Sequence, residues 1–243
     1  MARYVDTEHW ARVASEWIEW ARAPNHDAFW AYRDSFVAFV GRGAGEALDV
    51  GCGEGRISRT LKGCGYRVTA SDAVQAMVDA ARAAQSADDY VVAPGSDLPF
   101  EDARFDLVVA YNVLMDVDDL AATVREIRRV LRPAGTLIAS IVHPFSERGR
   151  FSTAEADAPF VIQDGYFGTQ HFEGVEERGG LRMRFAGWSR PLEVYANALE
   201  AAGLAITSIR EPVPRGGEGR DHLQAWTRMP LFLWMKARPL ALG

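Results

Sequence analysis

The fold is decided by ALDVGCGEG at residues 47–55, where a short apolar strand runs directly into a glycine-rich turn. The next residues, 56–62, have the pattern of a helix, so the segment predicts a strand, a loop and a helix. Ligands of an open parallel sheet lie at the carboxyl ends of its strands, and glycines there let the backbone approach a ligand closely. Such a turn alone is a weak signal, but it predicts a binding site.

The spacing of the residues around this loop restricts the kinds of ligand that it could bind. Its glycines fall at positions 51, 53 and 55, whereas a dinucleotide-binding loop would have the third at position 56, which is Arg here. Asp49 would repel a phosphate, but it can accept hydrogen bonds from an amine-bearing ligand. Asp72 ends the next predicted strand, 21 residues after Gly51, where a carboxylate can hold both hydroxyls of a ribose. The loop would therefore bind a pyrophosphate poorly.

Strands alternate with helices on both sides of the loop, and this alternation predicts a largely parallel sheet with right-handed crossovers. Strands are predicted at residues 47–50, 66–70, 90–93, 105–110, 136–142, 204–209 and 229–237. Helices are predicted at residues 7–22, 27–40, 56–62, 72–84, 120–131 and 191–202.

The length of 243 residues predicts one domain with additions. We expect a single domain over residues 1–243, with an N-terminal helical cap at 1–44, a core at 45–145, an insertion at 146–187 and the C-terminal part of the sheet at 188–243.

Composition and charge exclude several classes of protein. The net charge is −6, and no run rich in Lys and Arg occurs, so we expect no nucleic-acid partner. The two cysteines, Cys52 and Cys64, can form neither a disulfide framework nor a zinc site, and the histidines lack metal-ligand spacing, so we expect no metal. No signal peptide or membrane span is evident, so we expect a soluble, cytoplasmic protein with no membrane partner.

Four stretches resemble the class I S-adenosylmethionine (SAM) methyltransferases. Residues 47–61 (ALDVGCGEGRISRTL) are similar to their first motif, and residues 68–74 (VTASDAV) to their second. Residues 96–119 (SDLPFEDARFDLVVAYNVLMDVDD) resemble the stretch with the adenine contact and the fourth strand. Residues 127–144 (IRRVLRPAGTLIASIVHP) resemble the later helix–strand motif, with alanine at 134 where a second glycine is usual. The likeness is strong over residues 45–145 and weak over 188–238.

Within this family, the chain resembles the small-molecule methyltransferases related to the ubiquinone and menaquinone methyltransferases. The resemblance implies a doubly wound, Rossmann-like α/β sheet of seven strands, mostly parallel with an antiparallel last strand. It also implies an enzyme with SAM as its cofactor.

The resemblance implies roles for individual residues around SAM. Gly51, Cys52 and Gly53 would line its methionine portion. Asp49 would receive its ammonium group, directly or through water, and Asp72 would accept the ribose hydroxyls. Cys52 is interpreted as a small packed residue and not as a nucleophile.

Seven further residues would surround the adenine and the methyl group. Ala73 and Met77 would flank the adenine. Asp97 would accept its amino group, or simply cap a turn, and Leu98 would donate a backbone N–H. The sulfonium and the mouth of the acceptor site would be flanked by Tyr111, Asn112 and Met115, of which Met115 is equally well interpreted as a core residue.

The methyl acceptor needs mainly to be held in line with the activated methyl group. A hydroxyl or ammonium acceptor would also need a general base, for which His143 is the first candidate because it ends the fifth strand. Alternatively, His143 and the following proline only shape the strand exit. Substrate contacts are predicted for Trp17 and Tyr32 in the cap and for Tyr166 and His171 in the insertion. The cap and insertion together are expected to cover the site.

The leading hypothesis is a SAM-dependent methyltransferase that acts on a small organic molecule by direct displacement. Whether oxygen, nitrogen or carbon receives the methyl group stays open, as does the oligomeric state. Tyr111-Asn112-Val113-Leu114 follows the fourth strand in place of an Asn-Pro-Pro-Tyr tetrapeptide, which disfavours adenine or glutamine amines as acceptors. The alternatives are a non-catalytic SAM-binding or S-adenosylhomocysteine-binding regulatory module and a nicotinamide dehydrogenase, which the glycine spacing opposes.

Overall fold

A computed structural model describes residues 6–153, 155–162, 165–216 and 220–240. Its strands are β1 (Glu46–Val50), β2 (Arg67–Asp72), β3 (Asp89–Val92), β4 (Phe105–Tyr111), β5 (Leu131–Val142), β6 (Gly149–Phe151), β7 (Phe160–Ile162), β8 (Gln170–Arg178), β9 (Leu181–Ser189), β10 (Leu204–Arg210) and β11 (Phe232–Pro239). Its α-helices are α1 (Asp6–Arg22), α2 (Phe29–Val40), α3 (Arg56–Gly63), α4 (Gln75–Ala83), α5 (Leu120–Val130) and α6 (Leu192–Ala201). Two 3-10 helices cover Ser146–Arg148 and Asp221–Thr227.

Seven strands form the central sheet in the order β10-β11-β5-β4-β1-β2-β3. Neighbouring strands from β5 to β3 are parallel, whereas β11 is antiparallel to both β5 and β10. The chain winds outward from β1 to β3 and then returns to β4 on the other side of β1. This confirms the predicted doubly wound, seven-stranded sheet and places its switch point between β1 and β4.

Alternating side chains of the central strands fill two separate cores, one on each face of the sheet. Leu48, Val108 and Leu137 belong to the core that α5 and α6 cover. Leu107 and Ile138 belong to the core that α2 and α3 cover. Burial on both faces explains the nearly continuous apolar character of β4, as expected for parallel strands between helix layers.

Several boundaries differ from the predicted ones. β5 begins at Leu131, not at residue 136, because the segment with Pro133 continues as a strand with a register shift opposite Phe105 and Leu107. α4 begins at Gln75, not at residue 72, since Asp72 stays in β2. β11 begins at Phe232, after a 3-10 helix, and not at residue 229.

The predicted insertion contains two antiparallel hairpins, β6–β7 and β8–β9. The second hairpin packs on α1, where Met183 joins Val13 and Trp20 in a small core. α1 also packs on α4 through Ala14 and Met77. β8 is exposed along most of its length and lacks the apolar alternation by which a strand is recognised, so no pattern in the sequence predicts it. No helix in the described parts of the chain is long and apolar enough to cross a membrane.

Candidate cofactor and acceptor site

A cavity of about 830 Å³ opens at the carboxyl ends of the central strands. One side, which we call the strand-end half, is formed by the glycine loop at residues 51–55 and by the residues that follow β2, β3 and β4. The other side, which we call the cap half, is formed by α1, residues 27–28, the hairpin β8–β9 and residues 222–232. The cavity therefore lies at the switch point of the sheet, where an open α/β fold binds ligands.

The glycine loop needs glycine for two reasons. Gly51 and Gly53 have φ angles of +68° and +53°, in the left-handed region that favours glycine. A Cβ at Gly51 would also lie 1.9 Å from Cγ2 of Val113, so a side chain cannot fit. The loop is held by a hydrogen bond from the Cys52 N–H to the carbonyl oxygen of Ser71, at 2.9 Å. The bare backbone of the loop thus lines the cavity, together with Cys52.

Asp72 connects the glycine loop to the turn before α4. Its Oδ2 accepts the N–H of Gly53 and its Oδ1 accepts the N–H of Val74, both at 2.9 Å. Burial raises the pKa of Asp72, and the two N–H bonds oppose that shift. Asp72 lines the cavity, and each carboxylate oxygen has a further lone pair. This carboxylate can therefore accept two ligand hydroxyls at a fixed position.

Asp49, predicted to receive an ammonium group, is not among the lining residues. Its carboxylate is only 1% exposed, and its Oδ2 accepts the hydroxyl of Ser58 at 2.6 Å. Burial, reinforced by the nearby carboxylates of Asp72 and Glu54, raises the pKa of Asp49 to about 7, while the Ser58 bond lowers it. The side chain lies behind the loop, where it joins β1 to α3.

Glu54 is a lining residue that the sequence analysis missed. Its buried carboxylate is 2.8 Å from Nη2 of Arg59 and 3.4 Å from Nε of Arg22. Arg22 also donates to the carbonyl oxygen of Ala80 at 2.9 Å. The last turn of α1 is thereby tied to both the glycine loop and α4. An acidic residue within the loop was the available signal, but its arginine partners depend on the folded chain.

Ala73 and Met77, predicted to flank the adenine, line the cavity together with residues 93–95, which directly follow β3. Asp97 and Leu98 lie outside the lining. The backbone N–H of Leu98 is donated to Oε2 of Glu126 at 2.9 Å, so it is not free for an adenine, and Asp97 is exposed to solvent. The prediction for Leu98 is therefore corrected.

The end of β4 contributes all three residues predicted there. The lining includes Tyr111, Asn112 and Met115. Asn112 has a φ of +53°, and its side-chain Oδ1 accepts the hydroxyl of Ser140 at 2.6 Å. Tyr111 packs edge-on against Phe36, with ring centroids 4.8 Å apart. Both side chains are therefore held in place on the cavity wall.

His143, the predicted general base, is not among the lining residues. It is 5% exposed, its Nδ1 accepts the N–H of Phe145 at 3.2 Å, and its Nε2 lies 3.1 Å from Oε1 of Glu211. Burial lowers the pKa of His143, and Glu211 partly offsets that shift. Both ring nitrogens are engaged away from the cavity, which corrects the prediction and supports the alternative that His143 shapes the strand exit.

Three of the four predicted substrate contacts also lie outside the lining. Tyr32 is 0% exposed and packs against Phe232, with ring centroids 4.9 Å apart. The hydroxyl of Tyr166 accepts the N–H of Leu192 at 3.0 Å. His171 is exposed and lies outside the lining, whereas Phe172, its neighbour in β8, lines the cavity. Trp17 does line the cavity.

The lining beside and within the cap half carries charged residues, Arg56 at the start of α3 and Arg178 in β8, that the sequence analysis did not assign to the site. Arg56 is 2.7 Å from Oδ1 of Asp27, and its guanidinium lies over the rings of Trp17 and Phe29 at 4.9 and 4.8 Å. Arg178, from the end of β8, lies over Trp20 at 5.3 Å and lines the same region. In the sequence, Arg56 was notable only because it occupies the position where a dinucleotide-binding loop would have its third glycine.

No group of three or more His, Cys, Asp or Glu residues able to hold a metal ion occurs among the described residues. The absence of a required metal stays a prediction.

Together, the fold and the site define a nucleoside-binding α/β fold of the Rossmann-like type. Its switch point combines a bare glycine loop with a carboxylate that can accept two hydroxyls.

Comparison with known proteins narrows this class. Residues 48–139 match the family described as a methyltransferase domain. A malonyl-[acyl-carrier protein] O-methyltransferase of Yersinia pestis is 37% identical over 184 residues, 74% of this chain and 68% of that protein. A ubiquinone biosynthesis O-methyltransferase of Xanthomonas campestris is 28% identical over 196 residues, 78% of this chain and 80% of that protein. The structure of a SAM-dependent methyltransferase from Mesorhizobium loti has a TM-score of 0.66 and 26% identity, covering 87% of this chain and 98% of that one.

The chain therefore belongs to the class I SAM-dependent methyltransferases, in the group that includes small-molecule O-methyltransferases. This confirms the predicted family, the prediction of an enzyme and the prediction of SAM as its cofactor. Other matches are shorter: a malonyl-[acyl-carrier protein] O-methyltransferase of Serratia marcescens is 35% identical over 140 residues, 56% of this chain and 54% of that protein. Two further enzymes of that name are matched over 36% and 42% of their length.

Proposed function

We propose that this protein transfers the methyl group of SAM to a small organic molecule by direct displacement. The observation that carries the proposal is one continuous cavity with two different halves. The strand-end half offers a bare loop and a carboxylate suited to a nucleoside, and the cap half adds an aromatic space beside it. A cavity of about 830 Å³ is within the size range of small-molecule sites.

The proposed cofactor contacts follow the lining. Gly51, Cys52 and Gly53 would contact the methionine portion of SAM, and Asp72 would accept the two ribose hydroxyls. The adenine would be flanked by Ala73, Met77 and residues 93–95. Asp49 would act through the loop that it supports and not by direct contact.

The acceptor would lie between the end of β4 and the cap half. Tyr111, Asn112 and Met115 would border the sulfonium, and Trp17 with the hairpin β8–β9 would cover the acceptor. A covered site holds the acceptor near the methyl carbon and excludes water, which is the main requirement because the sulfonium is already activated. His143 has no part in this proposal as a base.

The relatives named above are O-methyltransferases, which favours oxygen as the receiving atom. The alternative, a non-catalytic SAM-binding module, is disfavoured because the space beside the strand ends is open and not filled by side chains. We further propose a single domain, a cytoplasmic location and no nucleic-acid partner, since the net charge is −6.

Thermal-shift titration with S-adenosylhomocysteine, with NADH in parallel, tests the cofactor half of this proposal. At about 100 times its dissociation constant, a ligand stabilises the folded chain by roughly 2.7 kcal/mol. We expect this shift with S-adenosylhomocysteine alone, and we expect Asp72→Ala to remove it. Asp79→Ala is the matched control, because Asp79 is an exposed carboxylate of the adjacent helix, paired with Arg82 at 2.9 Å. A shift with NADH only would contradict the proposal.

A further inference from the structure

Of the arginines that line the cavity, Arg178 has the positive charge that nearby carboxylates compensate least. Its Nη1 donates to the carbonyl oxygen of His26 at 2.5 Å and to Nε2 of His222 at 2.8 Å, and both acceptors are neutral. Its Nη2 is 4.0 Å from Oε2 of Glu176, beyond hydrogen-bond distance, and the Glu176 side chain is mostly exposed. By contrast, Arg56 lies 2.7 Å from a carboxylate oxygen of Asp27.

The environment of Arg178 makes this imbalance costly. Its side chain is 32% exposed, and its guanidinium lies over the ring of Trp20. Burial lowers the pKa of Arg178, although Glu176 and Asp27 oppose the shift. A cation that is partly removed from water, and whose nearest carboxylate oxygen lies 4.0 Å away, is further stabilised by an anionic ligand in direct contact. In the described parts of the chain, Nη2 and Nε of Arg178 make no hydrogen bond, so two of the three guanidinium nitrogens are free to donate.

His222 holds the guanidinium in its orientation. Because Nε2 accepts from Arg178, the proton of the neutral imidazole is on Nδ1. Burial, with the positive charge of Arg178, lowers the pKa of His222. The imidazole thus stays neutral and keeps accepting at neutral pH. His222 and Arg178 both line the cavity, so the oriented fork belongs to the acceptor region.

We propose that Arg178 binds a carboxylate of the methyl acceptor, so that the protein selects small carboxylic acids with an apolar body. This inference rests on the proposed methyl transfer. The apolar body fits the aromatic part of the lining, which includes Trp20 beside Arg178 as well as Phe185, Trp226 and Phe232. A bidentate pair between a guanidinium and a carboxylate is a strong, charge-assisted contact.

The remaining charges favour a monoanion. Asp27 and Glu176 line the same part of the cavity, and a dianionic phosphate would be repelled by both. One guanidinium fork with two free donors matches the two oxygens of a single carboxylate. The acceptor is therefore assigned as a carboxylic acid and not as a phosphate ester.

Calorimetric titration of matched acids and amides tests this assignment. Phenylacetate and indoleacetate are compared with phenylacetamide and indoleacetamide, which have the same shape without the charge, on the protein saturated with S-adenosylhomocysteine. We expect at least one acid to bind about tenfold or more tightly than its amide, since charge-assisted hydrogen bonds are roughly twice as strong as neutral ones. Phenyl phosphate should bind more weakly than phenylacetate.

Three variants test whether Arg178 is the residue that causes acids to bind more tightly than amides. Arg178→Met should bring acid and amide to equal affinity, and Arg178→Lys should retain part of the preference. Arg182→Met is the matched control, because Arg182 is an exposed arginine of the same hairpin, 3.5 Å from Glu177 and outside the lining, and it should bind like wild type. The Arg178→Lys variant also distinguishes loss of charge from loss of the folded hairpin.

The outcomes separate this inference from the proposed function. If wild type does not bind S-adenosylhomocysteine, the proposed function fails. If S-adenosylhomocysteine binds but neither acid binds, or acids and amides bind equally, the assignment of Arg178 is overturned while the proposed function stands. An acid preference that survives Arg178→Met would also overturn it.

Discussion

The two halves of the cavity are built in different ways. The strand-end half is made mostly of backbone and of residues within a few positions of a strand end, such as Gly51, Asp72 and Asn112. The cap half is made of side chains from four separate segments, and its charged residues find partners far along the chain, as Arg178 does with His222. The first half is thus fixed by local geometry, whereas the second depends on tertiary packing.

This difference has a chemical counterpart. A methyltransferase binds one cofactor but must match a particular acceptor, and function is determined by the site and not by the fold. A half built from backbone changes little when side chains change, whereas a half built from side chains can be altered residue by residue. The strand-end half therefore suits a constant ligand, and the cap half suits a variable one.

The largest effect is expected for Gly51→Ala, which breaks the strand-end half at its backbone. The new Cβ would overlap Val113 at 1.9 Å, and φ at this position is +68°. Left-handed backbone costs alanine roughly 1–2 kcal/mol, and the overlap adds about 1–3 kcal/mol. Chemical denaturation should show the summed loss, and S-adenosylhomocysteine binding should weaken by more than about 100-fold, or about 2.7 kcal/mol.

Gly203→Ala is the control for this substitution. Gly203 has a φ of +73°, but nothing lies within 4 Å of its added Cβ, so it isolates the backbone cost. Equal losses of stability in the two variants would show that the close approach to Val113 has no importance.

The same difference explains what the sequence could predict. The central strands, the glycine loop and Asp72 were predictable because the apolar runs and glycine positions that define them are local. The Leu98 contact was wrong because a glutamate 28 residues away, Glu126, takes its N–H. His171 lies outside the lining, and the sequence could not show this because the register of β8 decides which face each side chain takes and exposed β8 carries no apolar alternation.

The charged residues of the cap half could not have been predicted at all. Arg178 is one of 27 basic residues, and its role depends on His26 and His222, which lie 152 and 44 residues away in the chain. Trp17 was predicted to touch substrate from the aromatic density of the cap, and it does line the cavity. Tyr32 came from the same reasoning, but the rotation of α2 directs it into the core.

A smaller, pH-dependent effect is expected for Glu147→Gln, a substitution at a lining residue of the cavity in the 3-10 helix that follows β5. Burial raises the pKa of Glu147 from 4.5 to about 8, against the opposing effect of Ser189 and two arginines. The folded chain then binds more protons here than the unfolded chain, so the free energy of unfolding falls as pH rises between these values. The Glu147→Gln variant does not lose stability in this way. Its free energy of unfolding, relative to that of wild type, should therefore rise by at least about 1 kcal/mol from pH 5 to pH 8.

Urea denaturation of both proteins across this pH range measures the effect. A constant difference between Glu147→Gln and wild type would contradict the burial of an ionisable carboxyl at this site. The sign of the change also matters. If the variant became more stable relative to wild type as pH falls, Glu147 would be ionised and paired in the folded chain.

The smallest effect is expected for His143→Gln. This substitution tests whether His143 lies outside the acceptor region. A glutamine amide can still donate to Glu211 and accept from the N–H of Phe145, so the exit of β5 should keep its shape. Loss of a general base lowers a rate by roughly 10²–10⁴-fold. We expect the rate of S-adenosylhomocysteine formation to change by less than about threefold, far below that range.

A loss above about 100-fold with unchanged S-adenosylhomocysteine affinity would return His143 to the site as a base. It would also show that the cavity wall moves by enough to free a ring nitrogen that Glu211 now holds at 3.1 Å.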